Sequence, residues 1–219
     1  YYLFTVDGSS GSGGGLNYSE VDMTLQGGDG DINTNKNIPV FPNACEKITA
    51  ITHQNGTDFW IISRLENSNT YRAYLLTSTG LSPNPSVTNI GPIYNGALGY
   101  LRGSPNGDKI AAANYLNGSD FNLFDFDNLT GSLSNEITIV VSNPYGIEFS
   151  PNGNILYVNS DLGEIFQYDL LASNIASSQF LLNNSPGVAW GAIQLASDNK
   201  MYIANLGATY LSVVNNPNT

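Results

Sequence analysis

Ser104-Pro105-Asn106-Gly107 recurs 46 residues later as Ser150-Pro151-Asn152-Gly153, and a degenerate copy, Ala196-Ser197-Asp198-Asn199, follows another 46 residues on. A looser fourth copy, His53-Gln54-Asn55-Gly56, lies 51 residues before the first. Each turn leads into a short apolar run: Phe59-Trp60-Ile61-Ile62, Ile110-Ala111-Ala112-Ala113, Ile155-Leu156-Tyr157-Val158 and Met201-Tyr202-Ile203-Ala204. The opening Tyr1 to Val6 has the same character and lacks only its turn. A second segment with alternating polarity follows each run, at Leu16 to Met23, Tyr71 to Thr77, Phe121 to Asp127, Glu164 to Asp169 and Tyr210 to Val214. Further turn chemistry and a fourth apolar segment come next, as in Thr130-Gly131-Ser132 before Ile137-Thr138-Ile139-Val140.

The unit is therefore strand, turn, strand, loop, strand, turn, strand in 46 to 51 residues. Four strands in a period of that length form one blade of a β-propeller. A single four-stranded sheet cannot bury both faces, whereas radial stacking gives each blade two neighbours. The expectation is an all-β chain, one β-propeller domain over 1–219, in five units at about 1–42, 43–93, 94–142, 143–187 and 188–219. The first and last units are incomplete, so the domain is expected to be truncated at both ends. A β-sandwich would require two identical tetrapeptides at one offset to be an accident. Only Leu170 to Ala176 resembles a helix, and it is short.

Composition agrees with strands and turns. Asn is the commonest residue, with 29 copies beside 23 Gly, and both accept the backbone conformations of tight turns. Seven Lys plus Arg against 18 Asp plus Glu give a formal net charge of -11, which excludes a phosphate-backbone footprint and hence nucleic acid. A net charge of this sign also repels anionic polymers, so a neutral glycan or a protein is the better expected ligand. One cysteine, Cys45, excludes an internal disulfide framework and a cysteine-based zinc site. No apolar run approaches the roughly 18 residues of a membrane span, so no membrane insertion is expected of this segment. The chain starts at Tyr1 without Met or a signal-like segment and reads as a processed or partial piece of a longer protein.

Candidate chemistry is sparse. His53, the one histidine, lies in a turn, where neither a nucleophile relay nor a histidine metal site is expected. Asp29, Asp31 and Asn33 set oxygen ligands at alternate positions as a calcium loop does. However, Thr34 stands where that loop needs Gly and Val40 where it needs the bidentate Glu, so no metal is assigned. Glu46 and Glu148 lie on strands expected to run nearest the axis and are the acids best positioned for hydrolysis, although structural salt links, Glu46 to Lys47 or to a neighbour, are the first expectation for them. The axial mouth, where propellers usually bind ligands, is entered by Glu46-Lys47, Gly99-Tyr100, Tyr145-Gly146 and Trp190-Gly191. Glu46, Lys47, Tyr100, Tyr145 and Trp190 are thus the candidate ligand-binding residues, the aromatic ones offering large faces with polar tips. The competing expectation for these rings is a wedge between blades. No catalytic residue and no cofactor is assigned.

Ser-Pro-Asn-Gly-x-x-Leu-Tyr-Val at 150–158, followed by x-Ile-x-x-Tyr-Asp-Leu at 164–170, resembles the YVTN and WD40-like propeller repeats of bacterial secreted proteins. Asn17-Tyr18-Ser19-Glu20-Val21-Asp22-Met23, Cys45-Glu46-Lys47-Ile48-Thr49-Ala50 and Tyr145-Gly146-Ile147-Glu148-Phe149-Ser150-Pro151 are similar to the N-terminal propeller of large Bacteroidetes surface proteins. Those proteins are cargo of the type IX secretion system and carry a C-terminal gliding-motility-associated (type B) sorting domain. The resemblance implies export through the type IX translocon, an extracellular or outer-membrane surface location, and about two further blades, making seven in all. From it follows the first functional expectation, a non-catalytic adhesion or binding module for a glycan or surface protein. The alternative is a secreted propeller enzyme, glycan-degrading or lactonase-like, with its site at the mouth of the axial channel.

Overall fold

The computed structural model describes residues 1–6, 14–116 and 119–219. Their strands form five antiparallel sheets arranged as the blades of a propeller. Blade one holds β1 (Tyr2–Thr5), β2 (Leu16–Asp22), β3 (Asp31–Ile32) and β4 (Ile38–Phe41). Blade two holds β5 (Ala44–Thr52), β6 (Phe59–Leu65), β7 (Thr70–Thr77), β8 (Gly80–Leu81) and β9 (Ser86–Asn89). Blade three holds β10 (Leu101–Gly103), β11 (Lys109–Asn114), β12 (Asp120–Asp127) and β13 (Ser132–Val140). Blade four holds β14 (Pro144–Phe149), β15 (Ile155–Ser160), β16 (Glu164–Asp169) and β17 (Phe180–Asn184), and blade five holds β18 (Trp190–Leu195), β19 (Met201–Asn205) and β20 (Ser212–Val214).

Blades three and four are simple meanders, β10-β11-β12-β13 and β14-β15-β16-β17. In blade two the outermost position is divided, because β8 and β9 both pair with β7. Pro83 and Pro85 lie between them and have no N–H to give to the ladder. Blade one divides its outer position the same way between β3 and β4, and blade five has three strands among the described residues. The stretch from Leu170 to Ala176 is turns leading into one 3-10 turn, Ala176–Ser178, and not a helix.

The repeated turn has one geometry in four blades. The hydrogen bond that closes it runs Gly56 to His53, Gly107 to Ser104, Gly153 to Ser150 and Asn199 to Ala196, at 2.8 to 3.0 Å. Its last residue is left-handed each time, with φ of 74°, 72° and 73° for the glycines and 61° for Asn199. Asn is the residue that tolerates this conformation best after Gly, so the degenerate copy keeps the fold of the others.

Hydrophobic cores sit between blades. Ala111, Ala113, Phe121 and Leu123 of blade three pack against Ile147, Phe149, Leu156, Val158 and Tyr168 of blade four. Equivalent clusters join blades two and three, four and five, and one and two. The second strands β11 and β15, covered by a blade on each face, are buried along nearly their whole length, whereas the outermost β9 and β17 have no buried residue.

Candidate functional site

The first strands of consecutive blades run side by side, β5 against β10, β10 against β14, and β14 against β18. They enclose a hollow of about 610 Å³, lined by residues of every blade, among them Phe4, Thr49, Arg102, Ser104, Glu148 and Gln194. Strand alternation decides which side chains enter it. Leu101, Ile147 and Ile193 are buried in the interblade cores, and their C-terminal neighbours Arg102, Glu148 and Gln194 turn to the hollow. These three occupy one position of the repeat, spaced at 46 residues.

Arg102 reaches across two blade boundaries. Its Nε lies 3.2 Å from Glu148 Oε2, while Nη2 donates to Gln194 Oε1 at 3.0 Å and to the carbonyl of Ile193 at 3.5 Å. The guanidinium also stacks 4.9 Å above the Tyr100 ring. Among the described residues the Nε–H has no hydrogen-bond acceptor, so its contact with Glu148 is Coulombic and leaves a buried donor unsatisfied. Glu148, only 6% exposed, accepts from the backbone N–H of Phe149 at 3.1 Å and of Leu195 at 3.2 Å. Burial raises its carboxyl pKa above the ordinary value, against the opposing pull of Arg102 and of the Leu195 and Phe149 N–H groups. The result is a carboxylate held in place, close to a cation, in a hollow that opens to solvent.

A smaller hollow of about 260 Å³ lies where the same strands begin, lined by Glu46, Tyr100, Arg102 and Tyr145 among others. Glu46 Oε1 accepts the Gly99 N–H at 2.7 Å. Tyr145 meets Tyr100 and Tyr115 edge-on, at 5.5 and 5.2 Å between ring centroids. Three of the sequence-derived candidates, Glu46, Tyr100 and Tyr145, thus share one hollow, and Glu148 lines the other.

Lys47 and Trp190 lie elsewhere. Lys47 follows Glu46 by one residue and therefore points the opposite way, fully buried, its ammonium donating to the carbonyls of Leu98 at 2.6 Å, Gly99 at 3.2 Å and Ala113. Burial lowers its pKa to about 7, with the charge of Arg64 next in effect, while the three carbonyls favour the protonated form. Trp190 belongs to the core between blades four and five, 7% exposed, beside Tyr157, Ile165 and Ile203. The phase of the repeat explains this: Gly191, not Trp190, stands 46 residues after Tyr145, and Trp190 aligns with the buried Pro144.

In the calcium-like loop, Asp31 accepts from Gln26 Nε2 at 3.0 Å and from the Ile32 N–H at 2.7 Å, and Asn33 Oδ1 accepts from the Asn35 N–H at 2.7 Å. Asn33 also donates its amide to Glu20 at 3.1 Å, an arrangement that serves the loop itself, and Asp29 enters it only through its backbone N–H, which donates to the Gln26 carbonyl at 3.5 Å. Among the described residues no group of three His, Cys, Asp or Glu could hold a metal, and no helix is long and apolar enough to cross a membrane. His53 Nδ1 accepts from the Asn55 N–H at 3.2 Å, within its turn. Arg102 and Gln194 were not distinguishable as site residues by motif; the signal that finds them is their common register with Glu148.

No protein-family model and no curated protein sequence matches the chain. Solved structures do. A Bacteroides uniformis protein provisionally named 6-phosphogluconolactonase is similar at 15% identity and TM-score 0.62, over 96% of this chain and 64% of that one. A Bacteroides fragilis protein with the same provisional name gives 13% identity and TM-score 0.57, over 97% and 66% of the two chains. A Lactobacillus plantarum protein gives 15% and 0.58, over 97% and 67%. At such identities the likeness establishes the propeller fold and not an activity. The chain spans just under two thirds of the length of the Bacteroides uniformis protein.

Proposed function

We propose that the larger axial hollow is a hydrolytic site for a small cyclic ester, a lactone of a hydroxylated acid. The observation that carries this reading is the buried Glu148 beside Arg102, whose Nε–H lacks an acceptor. Glu148 takes a proton from water as the water adds to the lactone carbonyl, and the Arg102 guanidinium faces the oxyanion that forms. Collapse of that intermediate breaks the ring C–O bond, and the leaving alkoxide recovers the proton from Glu148, giving the open hydroxy acid. Glu148 is the one carboxylate lining this hollow among the described residues, so the paired acids of glycoside hydrolysis are not assembled in it. The provisional names of the two Bacteroides structures support a lactone in preference to other esters.

This reverses the order of the two functions expected from sequence, in which the adhesion module stood first. The resemblance to type IX secretion cargo remains a proposal for where the protein works: exported, at the cell surface, with a glycan or surface protein as a further partner. Its support is the set of sequence strings quoted above.

The test is hydrolysis of glucono-1,5-lactone and of its 6-phosphate, followed as acid release above the spontaneous rate. The reading expects turnover that falls by about a hundredfold or more in Glu148→Gln. An unchanged rate in that variant, or no turnover of either lactone, contradicts it.

A further inference from the structure

The smaller hollow has its own chemistry. Three adjacent blades each contribute a polar-tipped residue to it: Glu46 from β5, Tyr100 from just before β10, and Tyr145 from β14. Glu46 is fixed through one oxygen by the Gly99 N–H, and its other oxygen takes no donor among the described residues. Neither the Tyr100 nor the Tyr145 hydroxyl makes a hydrogen bond among the described residues, although both rings are held by edge-on contacts. The support beneath them is firm, because Tyr115, which meets Tyr145, donates its own hydroxyl to Asp161 at 2.7 Å. Ile48, half-buried, supplies an apolar surface.

Charge narrows the ligand class. A cation would compete with Arg102, which already stacks on the Tyr100 ring at 4.9 Å. An anion would meet the free oxygen of Glu46. What remains is a neutral molecule that donates to a carboxylate, exchanges hydrogen bonds with two phenols, and lays an apolar face on an aromatic ring. A sugar ring has all three properties, and sites of this kind combine an apolar surface with a few fixed polar groups.

We propose that this end of the axis is a binding site for a single neutral hexose ring, with Glu46 accepting from its hydroxyls and Tyr145 as its platform. Glu46, Tyr100 and Tyr145 line this hollow and not the larger one, so the proposal stands whether or not the larger hollow hydrolyses lactones.

The probes are methyl β-D-glucopyranoside and methyl β-D-galactopyranoside, titrated by saturation-transfer NMR and calorimetry, with choline as the charged comparator. The expectation is binding of at least one glycoside, weakened by about tenfold or more in Glu46→Gln and in Tyr145→Ala. Thermal unfolding of each variant separates a lost contact from a lost fold, and Tyr145→Phe, which keeps the ring and removes only the hydroxyl, should bind with an intermediate affinity. Lactone turnover is measured separately on the unaltered protein, so that its absence overturns the hydrolytic reading and not this one. Failure of both glycosides to bind, equal binding by Glu46→Gln, or binding of choline in their place overturns the proposal.

Discussion

Lys47 and Arg102 are both cations on or beside innermost strands, and their surroundings separate a clamp from a site. The Lys47 ammonium has all its protons directed at carbonyls of blade three and joins that blade to blade two with nothing left over. Arg102 also crosses blade boundaries, yet it keeps an N–H without an acceptor and lines both axial hollows. Burial alone does not distinguish them; the distinction lies in whether the donor set is saturated and whether the side chain lines a hollow, since Arg64 and Arg72 also keep an Nε–H without an acceptor among the described residues and line neither axial hollow. The same rule reads the boundary between blades four and five, where Asn159 accepts the Gly146 N–H at 2.8 Å and donates to the Gly191 carbonyl at 2.7 Å. Both polar atoms of that buried amide are engaged across the boundary, and it too is a clamp.

The comparison breaks first at Lys47. Lys47→Met takes its donor from three carbonyls, of which that of Leu98 keeps only the Tyr115 N–H at 3.3 Å, so chemical denaturation should show a loss of about 3 kcal/mol or more. A loss below about 1 kcal/mol would mean that water takes over those carbonyls and that Lys47 is not a clamp. Glu148→Gln tests the opposite pole, with little change in stability and a hundredfold or greater loss of lactone turnover. Because the folded carboxyl titrates above its ordinary 4.5, the acid limb of kcat/KM should lie above the usual carboxylate range, with activity falling as pH drops through it. The sign for stability is opposite to the common carboxylate case. The folded state holds this proton more tightly than the unfolded chain, so the contribution is complete below 4.5 and is lost as pH rises through the folded value.

Gly146→Ala is the next smaller effect. A Cβ there would lie 2.5 Å from the Gly191 carbonyl oxygen and 2.8 Å from Asn159 Nδ2, so calorimetric unfolding should show a loss of about 1–3 kcal/mol as the two inner strands move apart. Trp190→Phe should cost least, within about 1 kcal/mol. It loses ring volume but removes a buried N–H that has no acceptor, and ligand binding in either hollow should be unaffected. A selective loss of binding in this variant would return Trp190 to the site.

The propeller was legible because its information is periodic. A turn that must be left-handed at its last residue recurs in four blades, and Gly56, Gly107, Gly153 and Asn199 carry it visibly. The acids were legible in part, since Glu46 and Glu148 lie on the axial strands as their spacing implied. Side-chain direction was harder. Lys47 differs from Glu46, and Trp190 from Gly191, by one residue of phase, which in a strand is the difference between two faces. Arg102 escaped notice because no short motif contains it; its significance appears only when Glu148 and Gln194 are set in register with it and the blades bring the three together.

The most direct test is an NMR titration of ¹⁵N-arginine-labelled protein with D-gluconate, the hydroxy acid that a lactone site would release. The side-chain Nε signal of Arg102, assigned by its disappearance in Arg102→Lys, should shift with saturation, while those of Arg64 and Arg72 stay in place. Movement of none of the three signals, or of Arg64 in place of Arg102, would contradict the assignment of the axial hollow as the functional site.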